Sequence, residues 1–311
     1  MSKRIVYLFP GQGAQYVGMG KAFYDQFASS REIFEEADDL LRTPLTRLIF
    51  EGPENELTLT KNSQVAIFVT SMALLRAFHH EFPEMTPSIC AGLSLGEYTA
   101  LVCAGKISFA DGLSLVRARG QFMHEACLSS PGTMRVVLGL DVDKVRSVLP
   151  PGVWVANLNC PGQVVIAGAE KHLAAVEPLL KAQGAKRVLP IDVSGAFHTP
   201  HMQEAQEKLA PLIERTAIRE SSIAVVMNAL GASPNSDAEL RKALIAQVTS
   251  PVLWEKGIRE IEKEPVEIYV EIGCGTTLRG MNKKIDVKAP TITIEKVENL
   301  EEFAQHVFAQ R

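Results

Sequence analysis

The chain has 311 residues and a mass of 34.0 kDa, with 46% hydrophobic and 22% charged residues. That is enough apolar material for a real core, and it excludes disorder, collagen and coiled-coil arrays. At about 150 residues per domain the length predicts two domains, or one large α/β domain with an insertion. With 32 Lys+Arg against 36 Asp+Glu the net charge is −4, and no basic run exceeds two residues, which argues against a nucleic-acid groove.

The five cysteines, Cys90, Cys103, Cys127, Cys160 and Cys274, are odd in number and never spaced as CxxC. This argues against a disulfide framework and a structural zinc site and points to a reducing cytoplasm. The apolar stretch before Gly11 is too short for a signal peptide. Val65 to Leu75, broken by Thr70 and Ser71, is too short to span a bilayer. A soluble, cytoplasmic monomer with no membrane or nucleic-acid partner is the expectation.

In chain order, Ile5 to Phe9 reads as a buried strand and Pro10 to Gln15 as a Gly-rich turn. Val17 to Phe82 is mostly helical, with breaks at Thr43-Pro44 and Gly52-Pro53. Ser88 to Ala91 predicts a short strand, followed by helices from about Leu95 and from Phe109 to Ala126. Between about Gly132 and Val193 the order becomes strand, helix, two strands, helix, strand, which is the βαββαβ ferredoxin-like unit. Next, Thr199-Pro200 spells a helix start. Ala224 to Asn228, Val266 to Ile272 and Thr291 to Ile294 then resume the α/β pattern. The expected architecture is α/β. A large α/β-hydrolase-like domain with a parallel-rich sheet (1–128 and 197–311) is interrupted by a ferredoxin-like α+β subdomain (129–196).

The sharpest local signal is Gly92-Leu93-Ser94-Leu95-Gly96, a GxSxG between a predicted strand and a predicted helix, the setting of a nucleophile elbow. The helix start beyond it offers free N–H groups to an oxyanion. Ser94-x-x-Glu97 also spells a capping box, a purely structural alternative.

A serine nucleophile needs a base. Of seven histidines, His79 and His80 at a helix end look solvated, and His124, His172 and His306 fall on helices. His201 lies in the first turn of a helix, where a structural role is the simpler reading. His198 sits in the loop directly after the insertion, where side chains point into interdomain clefts. The HxxH spacing of His198 and His201 lacks a third ligand nearby, so no metal is expected. In the helix around Arg119 its i±3 and i±4 neighbours are Leu115, Val116, Phe122 and Met123, so the guanidinium points to the core. There it demands an anion, either a protein carboxylate or a substrate carboxylate gripped bidentately. Gly11-x-Gly13 does not extend to a dinucleotide fingerprint, because Tyr16 replaces the third glycine. The turn can instead deliver a backbone N–H to an oxyanion.

Phe9 to Gln15, Gly92 to Leu101, Arg119 to Met123, Asn157 to Gly168 and Gly195 to His198 together resemble, in order and over nearly the whole chain, the malonyl-CoA:acyl carrier protein transacylases of type II fatty acid synthesis. The resemblance implies a malonyl ester on Ser94, with His198 as base and then acid. It implies Arg119 on the malonyl carboxylate, oxyanion donors at the backbone N–H of Gln12 and Leu95, and a carbonyl of Gln247 orienting the histidine. Gln64, Met123 and Phe197 border the substrate, the Phe197 ring leaving little room for an α-methyl group. The implied partners are malonyl-CoA and acyl carrier protein, with no cofactor beyond the coenzyme A thioester itself. The family usually has His before the nucleophile, where this chain has Leu93, and activity is expected to survive that change.

Two readings compete. A serine hydrolase of the α/β-hydrolase type would place its histidine late, at His306. A non-enzymatic carrier-protein adaptor would have no need of Ser94, His198 and Arg119 together. Because carrier proteins are acidic, the net-acidic chain needs a local basic rim, for which Lys186-Arg187 and Lys283-Lys284 are the candidates, each equally readable as a solvated pair.

Overall fold

The computed structural model describes residues 4–308. The first and last three residues of the expected large domain, and with them the start of the N-terminal stretch read above, lie outside the described residues. Among the described residues nine strands form two sheets: β1 Ile5–Phe9, β2 Ile89–Gly92, β3 Thr133–Leu138, β4 Val153–Cys160, β5 Gln163–Gly168, β6 Arg187–Ile191, β7 Ala224–Val226, β8 Ile268–Ile272 and β9 Thr291–Ile294.

The first sheet runs β7-β2-β1-β8-β9 with every pairing parallel. Parallel strands are covered on both faces and read as unbroken apolar runs. The IVYLF of β1 is buried at all five positions. Its Ile5, Tyr7 and Phe9 join the larger core, with the helix Thr60–Glu81, while Val6 and Leu8 join a second cluster with Trp254, Ile258, Leu278 and Met281. The helix Thr60–Glu81 is buried nearly all round because it lies inside this large core.

The second sheet is antiparallel, in the order β4-β5-β3-β6. Helices Val142–Arg146 and Glu170–Ala182 follow its first and third strands, which completes a βαββαβ connectivity. One face packs on these helices through Val137, Val155, Val164, Ile166, Leu173 and Val176. The alternate positions Met134, Val136, Asn157 and Val165 turn the other way and line a cavity against the parallel sheet's loops.

The helix start predicted at Thr199-Pro200 opens on a short 3₁₀ segment, Pro200–Met202, before the helix Gln203–Arg215. Thr199 Oγ1 accepts the N–H of His201 at 3.3 Å. No helix among the described residues is long and apolar enough to cross a membrane.

Candidate active site

The loops after β1 and β2 leave the same end of the parallel sheet side by side, because Phe9 pairs with Gly92. Loops at the carboxyl ends of parallel strands are where such sheets bind ligands. The approach is so close that a Cβ at Gly92 would lie 1.9 Å from the carbonyl carbon of Gly96. One at Gly96 would lie 2.2 Å from the carbonyl oxygen of Phe9, and one at Gly11 2.4 Å from that of Leu93. The glycines are there to let three backbones meet. Ser94 sits between them at φ 53, a left-handed conformation that a serine adopts only when its surroundings impose it.

Ser94 Oγ is 2.8 Å from His198 Nε2, and His198 Nδ1 is 2.8 Å from the carbonyl oxygen of Gln247. A carbonyl can only accept, so Nδ1 carries the proton and Nε2 is left free to accept from Ser94 Oγ. His198 is also held at positive φ, 59. Burial, and then the Arg119 charge, push its pKa down to about 4, against its backbone hydrogen bonds to Gln247 and Ser250. The imidazole is therefore neutral at physiological pH and able to receive a proton.

Arg119 is 1% exposed. Its Nη1 donates to Gln64 Oε1 at 2.6 Å, and its Nη2 donates to Gln247 Oε1 at 2.9 Å and to Ser94 Oγ at 3.1 Å. The guanidinium lies 5.6 Å from the centroid of the Tyr98 ring. Among the described residues no Asp or Glu oxygen reaches it at ion-pair distance, and its Nε is buried without a partner. A buried cation held by uncharged partners can receive an anion, and here it stands beside the Ser94 hydroxyl.

Gln64 Nε2 donates to Met123 Sδ at 3.5 Å, and both residues are buried. Gln12 turns its side chain to Thr60 Oγ1 at 3.3 Å, and that hydroxyl is 2.8 Å from Ser194 Oγ, linking the first loop to the exit of the antiparallel sheet. Leu95, fully buried, follows Ser94 at the start of the helix Gly96–Cys103. Gln12, Ser94, Arg119, Met123, Phe197 and His198 line one cavity of about 270 Å³, roofed by the antiparallel sheet. A larger cavity, about 590 Å³, lies on the opposite face of the β4–β5 hairpin around Leu158, Cys160 and Pro161, away from Ser94 and His198.

The other histidines are placed elsewhere. His201 Nδ1 is 2.8 Å from Ser130 Oγ, and His306 is exposed on the helix Glu298–Phe308. His80 is exposed, but His79 is half-buried, its ring centroid 5.7 Å from that of Tyr7, because the helix end still lies against the sheet. Of the basic pairs, Lys284 donates to Gln163 Oε1 at 2.9 Å, at the rim of the cavity. Lys186 and Arg187 are exposed at the start of β6, two strands from Gln163, since Leu138 pairs with both Gln163 and Arg187.

Two residues escape the sequence reading. Asn228, just after β7, accepts the Ser94 N–H through Oδ1 at 2.6 Å and donates from Nδ2 to the Gly92 carbonyl at 2.7 Å, stapling the elbow. Glu97 makes no capping box: no side chain caps that helix, and the Glu97 carboxyl instead accepts from the Asn228 N–H at 2.5 Å and from Gln247 Nε2 at 3.1 Å. Burial pushes that carboxyl up to about 8, against the Asn228 N–H, Arg119 and Gln247.

The family model of the acyl transferase domain matches residues 6–288. A malonyl CoA-acyl carrier protein transacylase of Bacillus subtilis is 42% identical over 307 residues, covering 97% of this chain and 96% of the relative. The chain belongs to the malonyl CoA-acyl carrier protein transacylase family. A solved structure of the Clostridium perfringens transacylase superposes with a TM-score of 0.93 at 35% identity, over 99% of this chain and 98% of that one. A malonyl-transacylase solved in complex with its holo type II PKS acyl-carrier protein superposes with a TM-score of 0.92 at 35% identity, over 98% of this chain and 100% of that one. As an acyltransferase of this family, the chain holds a serine, a neutral imidazole and a buried arginine around one cavity.

Proposed function

We propose that this transacylase moves the malonyl group from malonyl-CoA to the phosphopantetheine thiol of an acyl carrier protein through an ester on Ser94, supplying malonyl thioesters for fatty acid elongation. The observation that carries this is Arg119, buried without a protein carboxylate and 3.1 Å from the nucleophile. In the first half-reaction His198 Nε2 takes the Ser94 proton as Oγ attacks the thioester carbonyl. The oxyanion receives the backbone N–H groups of Gln12 and Leu95. Collapse breaks the C–S bond, and His198 returns the proton to the departing coenzyme A thiolate. In the second, His198 deprotonates the carrier's thiol, which attacks the ester carbonyl, and Ser94 leaves with the proton. Gln247 holds the histidine tautomer. Gln64 and Met123 hold Arg119 and its pocket, and Phe197 closes the space beside the α-carbon.

General base and oxyanion donors together suffice for acyl transfer, about 10²–10⁴-fold and 10²–10³-fold respectively, so the reaction calls for no cofactor. The α/β-hydrolase-like body (1–128 and 197–311) brings the nucleophile and base, and the ferredoxin-like subdomain (129–196) roofs the cavity. All the proposed residues come from one chain, as a monomer requires, and the five free cysteines suit a reducing cytoplasm. Steady-state kinetics with malonyl-CoA and holo carrier protein varied together are expected to give parallel double-reciprocal lines. Intersecting lines would mean direct transfer in a ternary complex and would remove the ester intermediate.

The carrier protein docks, in this reading, on the basic rim of Lys283 and Lys284 at the cavity mouth and of Lys186 and Arg187 beside it. Support comes from the exposure of all four and from the bond between Lys284 and the mouth residue Gln163. Rim charges act mainly on encounter. Charge reversal at both pairs is expected to raise KM for the carrier protein by about tenfold and leave malonyl-enzyme formation from malonyl-CoA unchanged. An unchanged KM would discard the docking rim.

A further inference from the structure

We propose that Glu97 is a positioning residue that holds the nucleophile and its base in one frame without touching substrate. This rests on the transfer reading above and deepens it.

Glu97 is 0% exposed and lies one turn beyond Ser94. Burying a carboxyl group costs several kcal/mol, and an apolar side chain of the same shape would pack there more favourably. What the carboxyl provides is a pair of acceptors joining two residues that otherwise do not meet in the site. On one side it receives the backbone N–H of Asn228, whose side chain clamps Gly92 and Ser94 from both ends of the elbow. On the other it receives Gln247 Nε2, which also donates to the Ser94 carbonyl at 2.8 Å. The same Gln247 takes the His198 proton on its backbone oxygen and the Arg119 Nη2 on its side-chain oxygen. Through two bonds the carboxyl thus fixes the registry of the serine against both the histidine and the arginine. A displacement of about 1 Å in such a constellation costs on the order of 10²-fold in rate.

Glu97→Gln is isosteric, yet it puts an NH₂ group where both neighbours are donors, so one of the two bonds becomes a donor–donor contact. The test measures the rate of the malonyl adduct on Ser94 in a single turnover, KM for malonyl-CoA, and the phosphonylation of Ser94 by a serine-directed fluorophosphonate. That probe carries no carboxylate and reads the serine–histidine geometry without Arg119. Glu97→Gln is expected to slow both the adduct and the phosphonylation by about 10–100-fold, with KM changed less than about threefold. Glu97→Asp withdraws both acceptors by one methylene, is expected to slow both rates by a smaller factor of about 3–10-fold, and decides the matter if Glu97→Gln does not fold.

Phosphonylation at the unaltered rate in a folded Glu97→Gln or Glu97→Asp protein would overturn the inference and leave the transfer reading standing. A raised KM with unaltered phosphonylation would do the same, by making Glu97 a substrate-binding determinant. An unaltered protein that phosphonylates but forms no malonyl adduct would instead overturn the transfer reading, and the inference with it.

Discussion

Arg119→Ala is expected to lower kcat/KM for malonyl transfer by about 10²–10³-fold while acetyl transfer stays within about tenfold of its starting value. A malonyl carboxylate desolvated in the cavity would lose its cation partner, and breaking such a buried pair costs about 3–5 kcal/mol, which is from about 10²-fold to several 10³-fold at 1.4 kcal/mol per decade. An acetyl thioester makes no such pair. In the unaltered enzyme it leaves the guanidinium with uncharged partners alone, Gln64, Gln247 and Ser94, and removing the charge relieves that penalty. Part of the acetyl rate is still expected to fall, since Arg119 Nη2 also contacts Ser94 Oγ. The measurement is a competition between malonyl-CoA and acetyl-CoA followed by analysis of the acyl-enzyme. Equal losses for the two donors would take the carboxylate role away from Arg119.

The second large effect concerns the base. His198→Ala is expected to slow Ser94 acylation by about 10²–10⁴-fold, the range that a positioned general base supplies. In the unaltered enzyme the same residue is expected to set a pH profile. Burial and Arg119 lower its pKa from the ordinary 6.5 to about 4, so the neutral, proton-accepting form is present from well below neutrality upward. The acylation rate is expected to hold level from about pH 5 through neutrality and to fall only as the pH drops toward 4. For stability the sign runs the same way. A histidine buried neutral favours the folded state above the unfolded pKa of 6.5, and that contribution is lost progressively as the pH falls from 6.5 through about 4. Stopped-flow acylation against pH checks the profile, and a half-maximal rate near 6.5 would place the working histidine in water.

Much of this site is legible in the sequence. Gly92 and Gly96 flank the serine at the spacing an elbow needs, and the structure gives the reason, since a Cβ on either would fall within 2.2 Å of backbone. The inward direction of Arg119 follows from its apolar i±3 and i±4 neighbours, and it is 1% exposed. The run of five apolar residues in β1 and the strand order of residues 133–191 could be read because each is a local pattern. Asn228 is 134 residues from Ser94 and has no local signature, so a bond that shapes the elbow left no trace in the sequence around either residue. Glu97 carried a misleading one. Its spacing from Ser94 imitates a helix cap, whereas its carboxyl turns down to Asn228 and Gln247, and the serine hydroxyl faces His198 and Arg119. His79 misleads in the same way, because a helix end is solvated only where the helix leaves the core, and this one stays against Tyr7 and Phe78.

Leu93, where the family usually has histidine, lines the cavity next to the nucleophile and packs against the second apolar cluster. The serine's hydrogen bonds to His198 and Arg119 do not pass through it. This fits an enzyme whose base is carried by the later loop.

Peptide mass mapping after brief mixing with malonyl-CoA, and no carrier protein, is expected to find one malonyl group, on Ser94, that is discharged when holo carrier protein is added and does not form in Ser94→Ala. A malonyl group on another residue, or an equal yield in Ser94→Ala, would contradict the account.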